Sequence, residues 1–298
     1  MDRFDSIAAF VAVADKNGFS PAARALGVSP SAVTRLVAAL EEHLGVRLLQ
    51  RTTRSVRLTD SGERFLQRAR RIMDDLGEAE RIAGDERGVP TGRLAVSAPL
   101  MFGRLHIGPL VCHYMQLYPL VSVELQLADR MVNLIDEGVD IALRIGHLTD
   151  SSLVARRMGA TRRVVVGSPA YLRDRPPPAT PADLGQHRII ASTATAPERR
   201  WRFARDGAAF EQEVAPSYVT NSAEAAIWHA ARDGGLTQVL GYQVIDQVRS
   251  GALAVVLAEY ESPAFPIHFV YPTSRLLSAK VRTLIDTAAA EDWNFTGF

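Results

Sequence analysis

Cysteine is almost missing from this chain. Cys112 is the single example in 298 residues, so no intrachain disulfide can form and nothing points to an oxidising compartment. No apolar run approaches the ~20 residues that a membrane-spanning helix needs. Neither sign of charge is in excess: 34 Lys and Arg face 33 Asp and Glu, a net +1. That balance argues against a surface coated in nucleic acid, but it leaves room for a local basic site. Histidine occurs seven times, at 43, 106, 113, 147, 187, 229 and 268, without the spacing of metal ligands. The G-x-S-x-G, H-E-x-x-H, P-loop and G-x-G-x-x-G motifs are all lacking. Cys112 and His113 are neighbours on a predicted helix and so point about 100° apart, a poor nucleophile and base pair. Cys112 is therefore expected to be a buried thiol. These absences predict no catalytic residue, no metal and no cofactor. Met1-Asp2-Arg3-Phe4-Asp5 is acidic and leads into an amphipathic helix, so no secretory signal is expected and the location is expected to be cytoplasmic.

What is present is a chain with 47% hydrophobic and 22% charged residues, enough for two or more domains with sizeable cores. The stretch Ser20 to Leu44 reads as two short helices joined by a tight turn. Ser20-Pro21 and Ser29-Pro30 each place a hydroxyl before a proline, the pattern of a capped helix start. Ala23, Gly27 and Val33 stand where a helix-turn-helix needs a small contact residue, a turn glycine and an apolar contact in the second helix. Ser31, Thr34 and Arg35 would then face outward, and these side chains reach phosphates and base edges. Two capped helices in a row also occur in ordinary α-bundles, so the turn alone leaves both readings open. The helix before them, with Phe4, Ile7, Phe10 and Val11 on one face, would complete a three-helix core, and Gly45 stands as the C-cap of the third.

Beyond Gly45, two short β-like runs around Arg51-Thr52-Thr53-Arg54 read as a hairpin wing. Between Arg47 and Arg71 there are eight arginines against Asp60 and Glu63, a local balance of +6. A charge run is commonly a solvated face; beside a helix-turn-helix and on a hairpin tip, contact with phosphates or the minor groove is favoured. Asp60 with Glu63 three residues later signals a helix start. Phe65, Ala69, Ile72, Leu76, Ala79 and Ala83 then recur in alternating steps of four and three, which is a heptad seam. Its partner is either the same helix of a second chain or this chain's own second domain, and no nearby segment is available to bury it. Gly84, Gly88, Pro90 and Gly92 mark a linker.

From Gly92 onward short apolar strands alternate with helices, including 94–96, 121–127, 141–145, 164–166, 189–191, 218–220, 254–257 and 267–271, which predicts parallel α/β sheets. The roughly 200 residues hold two such sheets better than one, giving two lobes with a cleft. Ligands of open α/β sheets lie beyond the carboxyl ends of the strands. Ser97-Ala98-Pro99 and Asn221-Ser222 are strand-to-helix junctions of this kind, and Arg144 would bring a cation to the same rim. Together they suit a small carboxylate, although capping alone would also place Ser and Asn there.

Residues 1 to about 88 resemble the winged helix-turn-helix and linker helix of the LysR-type transcriptional regulators. The resemblance is carried by F-V-A-V-A, F-S-P-A-A-R-A-L-G-V-S-P-S-A-V-T-R, L-E-E-H-L-G-V-R-L-L-Q-R-T-T-R and L-T-D-S-G-E, all in order. The remainder resembles the family's effector domain, with the fold of type 2 periplasmic binding proteins, through A-P-L-M-F-G-R, G-V-D-I-A-L-R-I-G and S-A-E-A-A-I-W-H-A-A-R-D-G-G-L-T-Q-V-L-G-Y. One departure is Val239-Leu240-Gly241, where family members often carry a proline.

The resemblance implies an N-terminal winged helix-turn-helix over 1–59, a long dimerisation helix and hinge over 60–91, and a two-lobed α/β effector domain over 92–298, with lobe I at 92–160 and 264–298 and lobe II at 161–263. It implies DNA contacts at Pro30, Ser31, Thr34, Arg35, Arg51 and Arg54, and an effector site at Ser97, Ala98, Pro99, Asp129, Arg144, Ser192, Thr193 and Asn221. Dimerisation would use Phe65, Ala69, Ile72, Leu76 and Ala79. The expected partners are double-stranded operator DNA with an inverted repeat, a small-molecule effector, further copies of the chain as homodimer and homotetramer, and RNA polymerase. A solute-binding module of the same fold, or an enzyme using the cleft, are the alternatives; residues 1–88 speak against the first and the lack of a nucleophile and base pair against the second.

Overall fold

The computed structural model describes residues 2–51, 56–84, 89–148, 153–193, 199–272 and 277–297. The chain divides into two units, Met1–Arg93 and Leu94–Phe298. In the first, α1 (Arg3–Asp15) is capped by Asp2, whose carboxylate accepts the Phe4 N–H at 3.0 Å. α1 buries Ile7, Phe10 and Val13. α2 (Phe19–Leu26) follows, and α3 (Pro30–Leu44) begins where Ser29 Oγ accepts the Ala32 N–H at 3.2 Å, with Pro30 in the first turn. Gly27 and Gly45 end α2 and α3 in the left-handed region, both at φ 67°, which suits residues without a Cβ.

One expected cap is displaced. α2 starts at Phe19 behind Gly18, and Ser20 lies inside the first turn rather than capping it. Phe19 packs against the three-helix core, so the helix has to begin early enough to bring that ring inward. The wing consists of β1 (Leu49–Arg51) and β2 (Val56–Leu58), antiparallel with Gln50 opposite Arg57.

α4 (Asp60–Gly84) also starts from a different cap than expected. Thr59, not Asp60, supplies it: its hydroxyl accepts the Gly62 N–H at 2.9 Å and donates to the Arg47 carbonyl at 2.8 Å. Asp60 and Glu63 instead sit in the first turn, where the helix dipole favours negative charge. Gly62 is required by proximity, since a Cβ there would lie 2.0 Å from the Leu48 carbonyl oxygen. Leu66 and Ala69 are buried, and the Phe65 ring lies 5.6 Å from that of Phe10.

In the second unit, β3 (Gly92–Ala98) leads into α5 (Leu100–Phe102), a π turn at Gly103–Ile107 and α6 (Gly108–Leu117). β4 (Val121–Leu127), α7 (Leu134–Glu137), β5 (Ile141–Ile145) and β6 (Leu153–Thr161) follow. Next come β7 (Arg163–Gly167), α8 (Pro169–Asp174), β8 (Ile189–Ser192), β9 (Arg200–Arg205), β10 (Ala208–Glu213) and β11 (Pro216–Thr220). α9 (Ala223–Ala230), β12 (Leu236–Leu240), α10 (Ile245–Arg249), β13 (Ala254–Val256), β14 (Phe265–Pro272), α11 (Ala279–Ala288) and β15 (Asn294–Phe295) complete the chain.

These strands make a six-stranded sheet in the order β15-β6-β14-β5-β3-β4 and a five-stranded sheet in the order β11-β8-β12-β7-β13. Both are mixed, not purely parallel as the strand and helix alternation suggested. β3 and β5 are parallel, but β14 runs antiparallel to both β5 and β6, and β7 runs antiparallel to both β12 and β13. The cause is connectivity: only Arg162 separates β6 in one sheet from β7 in the other, and β14 returns to the first sheet. Alternation of apolar residues carries no information about strand direction, so such returns are invisible to it.

The core of this unit includes contributions from both sheets. Phe102 is fully buried, with ring centroids of Tyr242, Trp293 and Phe295 at 4.8, 5.5 and 5.9 Å. Burial of such a ring contributes roughly 1.5–3 kcal/mol, and the aromatic contacts add to it. Cys112 corrects its expectation: it is exposed, because α6 turns Leu110, Val111 and Tyr114 inward and position 112 follows on the outer side. Among the described residues no helix is long and apolar enough to cross a membrane.

Candidate functional site

The surface of α3 separates cleanly into two faces. Val33, Val37 and Leu40 are buried, while Pro30, Ser31 and Arg35 are exposed and Thr34 is half-buried. Local hydrogen bonds order the start of this face: Ser29 Oγ lies 3.0 Å from Ser31 Oγ, and Thr34 Oγ1 donates to the Pro30 carbonyl at 2.9 Å. Both hydroxyls keep lone pairs for a further donor, and Arg35 supplies the cation. Arg51 belongs to β1, but its side chain and all of Arg54 lie outside the described residues. Arg57, exposed on β2, is a wing cation that the sequence reading counted but did not single out.

The seam on α4 is only partly open. Ala69 is fully buried within the chain's own N-terminal core, and Phe65 packs against that core, because the first turns of α4 cover α1. Their assignment to a second chain is therefore corrected for Ala69, which has no surface to offer. Ile72 is 43% exposed and Leu76 half-buried, while the Ala79 side chain lies outside the described residues.

In the second unit a cavity of about 430 Å³ opens between the two sheets. Pro99, Asp129, His147 and Phe265 line it from the first sheet, Arg163, Tyr242 and Gln243 from the second, and Arg202 from the separate hairpin of β9 and β10. A smaller cavity of about 140 Å³ lies beside the first sheet alone, lined by Ser97, Ala98, Pro99, Asp129 and Arg144 among others. Five expected site residues are thus brought together, but only Pro99 and Asp129 reach the larger space.

Asp129 Oδ1 accepts the Leu100 N–H at 2.9 Å and so caps α5. Arg144 donates to the Val132 carbonyl at 2.9 Å. Ser192, Thr193 and Asn221 line neither cavity. Ser192 is buried at the end of β8, Thr193 donates its N–H to the Thr220 carbonyl at 2.9 Å, and Asn221 is exposed just ahead of Ser222, which caps α9.

Arg163, Arg202, His147, Tyr242 and Gln243 were missed from sequence. A signal existed for the first of them: an arginine heading the buried run Val164-Val165-Val166 has to be enclosed with it. Burial, and then the charge of Arg202, hold the Arg163 guanidinium down to about 10. Burial pushes the Tyr242 phenol well up, against a hydrogen bond from Gln243 and with the Asp129 charge adding to the rise. At the rim, Arg104 from the π turn meets Glu224 of α9 at 2.9 Å, an ion pair that ties these two elements together. No group of histidine, cysteine, aspartate or glutamate that could hold a metal occurs among the described residues.

Comparison with known proteins matches both units. Residues 4–63 match the family model described as bacterial regulatory helix-turn-helix protein, lysR family, and residues 87–293 match the LysR substrate binding domain. The chain is a LysR-type transcriptional regulator. Such regulators are not enzymes; they pair a DNA-binding helix-turn-helix with an effector-binding domain. The regulator is 33% identical over 289 residues to the probable HTH-type transcriptional regulator LtrA of Klebsiella pneumoniae, covering 96% of this chain and 94% of that protein. It is 32% identical over 278 residues to DmlR of Escherichia coli, covering 93% and 90%. The solved structure of CrgA, a LysR-type transcriptional regulator from Neisseria meningitidis, superposes with a TM-score of 0.63 at 30% identity, covering 97% of this regulator and 99% of that chain.

Proposed function

We propose that this regulator reads operator DNA through the exposed face of α3 and responds to a small carboxylate held in the cavity between its two sheets. The observation that carries the DNA half is the placement of Ser31, Thr34 and Arg35 on the solvent side of a capped helix whose other side is core. Pro30 starts that face, and Arg51 and Arg54 in the wing would add phosphate or minor-groove contacts. The working division is 1–59 for DNA binding, 60–91 for dimerisation and hinge, and 92–298 for the effector, with lobe I at 92–160 and 264–298 and lobe II at 161–263. The effector half is supported by a cavity of about 430 Å³ with two guanidinium groups on its wall, a volume within the usual range for small ligands.

In this proposal the dimer seam runs through Ile72 and Leu76 and on to Ala79, two dimers associate into a tetramer, and the assembly works in the cytoplasm alongside RNA polymerase. Two recognition helices related by a dyad engage major grooves about one helical turn apart. Sequencing the DNA captured by the purified protein from fragmented genomic DNA tests this. An inverted repeat with half-sites at that spacing is expected; enriched sites without dyad symmetry would sink the dimeric reader. The genes beside the sites then supply candidate carboxylates, and the proposal requires one of them to alter operator affinity.

A further inference from the structure

Three neighbouring strands of the six-stranded sheet set three basic side chains abreast. His268 on β14 lies opposite Arg144 of β5 on one side and Arg157 of β6 on the other. Directly opposed residues of antiparallel strands share a face, with Cβ atoms about 4.5–5.5 Å apart. One step along this face Val270 lies opposite Ala142 and Ala155, and Val270 and Ala142 pack in a small apolar cluster with Val132, Leu134 and Val139. One step the other way Pro266 lies opposite Ala160, and its carbonyl accepts the Gly146 N–H at 2.9 Å, so the row ends on small residues. Arg144 and His147 also border the cavity of about 140 Å³ beside this sheet.

Basic residues directly opposite one another are unfavourable, and an acid in the row would offset them. The row contains none. Arg156 next door lies opposite Phe269, on the other face, and reaches Asp286 at 3.4 Å. Among the described residues no carboxylate pairs with Arg144, Arg157 or His268. Arg144 gives an N–H to the Val132 carbonyl at 2.9 Å and keeps the rest of its fork, and Arg157 is exposed. His268 Nδ1 is enclosed without a hydrogen-bond partner among the described residues. Burial, then the charges of Arg157 and His147, hold the His268 pKa below its ordinary value. The acids of the neighbouring loop and of α7 are engaged elsewhere: Asp129 by the Leu100 N–H, Glu137 by Arg130 and Asp136 by the Asn133 amide. A doubly charged oxyanion would offset both guanidiniums and accept from the imidazole. A phosphate group carries three strong acceptor oxygens, enough for two forks and a ring N–H.

We propose that Arg144, Arg157 and His268 form an oxyanion site on the face of the first sheet, distinct from the larger cavity, for inorganic phosphate or the phosphate of a small monoester. The adjoining small cavity gives room for the organic part of an ester. Equilibrium dialysis of the full chain against radiolabelled inorganic phosphate, at constant ionic strength in chloride, tests it. Saturable uptake of one phosphate per chain is expected, with a Kd of about 1 mM or tighter. The Kd should rise about tenfold or more in Arg157→Gln and in His268→Gln. Arg157→Lys should restore part of the loss, since it keeps the charge but not the fork. Arg157 is exposed, so its variants probe the site without disturbing the core. Glycerol phosphate displacing the label at lower concentration than unlabelled phosphate supports the site as one for monoesters, and the reverse order supports it as one for the free ion. No saturable uptake, or uptake unchanged in both glutamine variants, overturns the site. Uptake lost in Arg202→Gln but kept in Arg157→Gln places the anion in the larger cavity and overturns it as well.

Discussion

Glu41 of α3 holds the wing: its Oε1 accepts the N–H groups of Leu48 at 2.8 Å and Leu49 at 3.0 Å, and the residue is only 7% exposed. One carboxylate on the helix proposed to face DNA thus anchors the strand that carries Arg51. Replacing Glu41 by Ala leaves two buried donors without an acceptor, which costs roughly 2–3 kcal/mol. Glu41→Gln keeps an amide oxygen and should lose about half of that. Chemical denaturation of the three proteins checks the order, and operator affinity should fall with it, because the wing loses its anchor to α3. Equal stability of all three would show that the two N–H groups find other partners.

The exposed face of α3 separates base reading from charge. Arg35→Ala should abolish discrimination between operator and random DNA, a loss of about 1–3 kcal/mol at the contacted base pair. Arg57→Ala on the wing should instead weaken binding to all sequences and flatten the dependence on salt by about one counterion. Competition shift assays over a salt series distinguish the two. Retained discrimination in Arg35→Ala would remove base reading from that residue, and an unchanged slope in Arg57→Ala would remove phosphate contact from this one.

Much of this was legible before any coordinates, and the failures have identifiable causes. Ser29-Pro30 and Gly45 marked both ends of α3 because capping is local chemistry. Ser20 misled because the same dipeptide was subordinate to packing Phe19 into the core. The hairpin of β9 and β10 went unread although its turn, Asp206-Gly207 at φ 51° and 81°, is a strong hairpin signal. The cleft was harder. Arg163 and Arg202 are far apart in sequence, and only the strand order that sets β7 beside β12, with Gln238 clipping β9, brings them to one wall. Residues near strand ends in the first sheet were easier to find because each lies at a visible strand-to-loop boundary, yet most of them line the smaller space.

Arg104 and Glu224 tie the π turn to α9 through a contact whose strength can be measured. Both side chains are more than half exposed, so solvent screens the pair and it contributes at most about 1 kcal/mol. A double-mutant cycle on unfolding, Arg104→Ala with Glu224→Ala, should yield a coupling of about 0.3–1 kcal/mol at low salt that vanishes near 1 M, where the Debye length falls to about 3 Å. A coupling that persists in high salt would mean that the pair is held out of solvent.

His106 should make the second unit sensitive to mild acid. Its ring lies within the aromatic cluster, 4.7 Å from Phe102 and 4.7 Å from Phe295, and its buried Nε2 has no hydrogen-bond partner among the described residues. Burial pushes its pKa below the ordinary histidine value of 6.5, against the opposing charge of Asp246. Above about pH 6.5 the ring is neutral in both folded and unfolded chains, and the contribution to stability is fully present. As the pH falls below that value, the unfolded chain takes up a proton that the folded chain resists, and stability is lost until the lower folded pKa is passed. His187 and His268, both lowered first by burial, act in the same direction. Glu261, raised by burial, gives a slope of the opposite sign that changes at His106 leave untouched. The Tm should therefore drop between pH 7.5 and 5.5, and His106→Phe should reduce the drop without removing it. The variant should also gain about 1 kcal/mol at the lower pH by eliminating a buried polar atom without a partner. A parallel pair of Tm curves for the wild-type and variant proteins would show that His106 takes up its proton equally in both states.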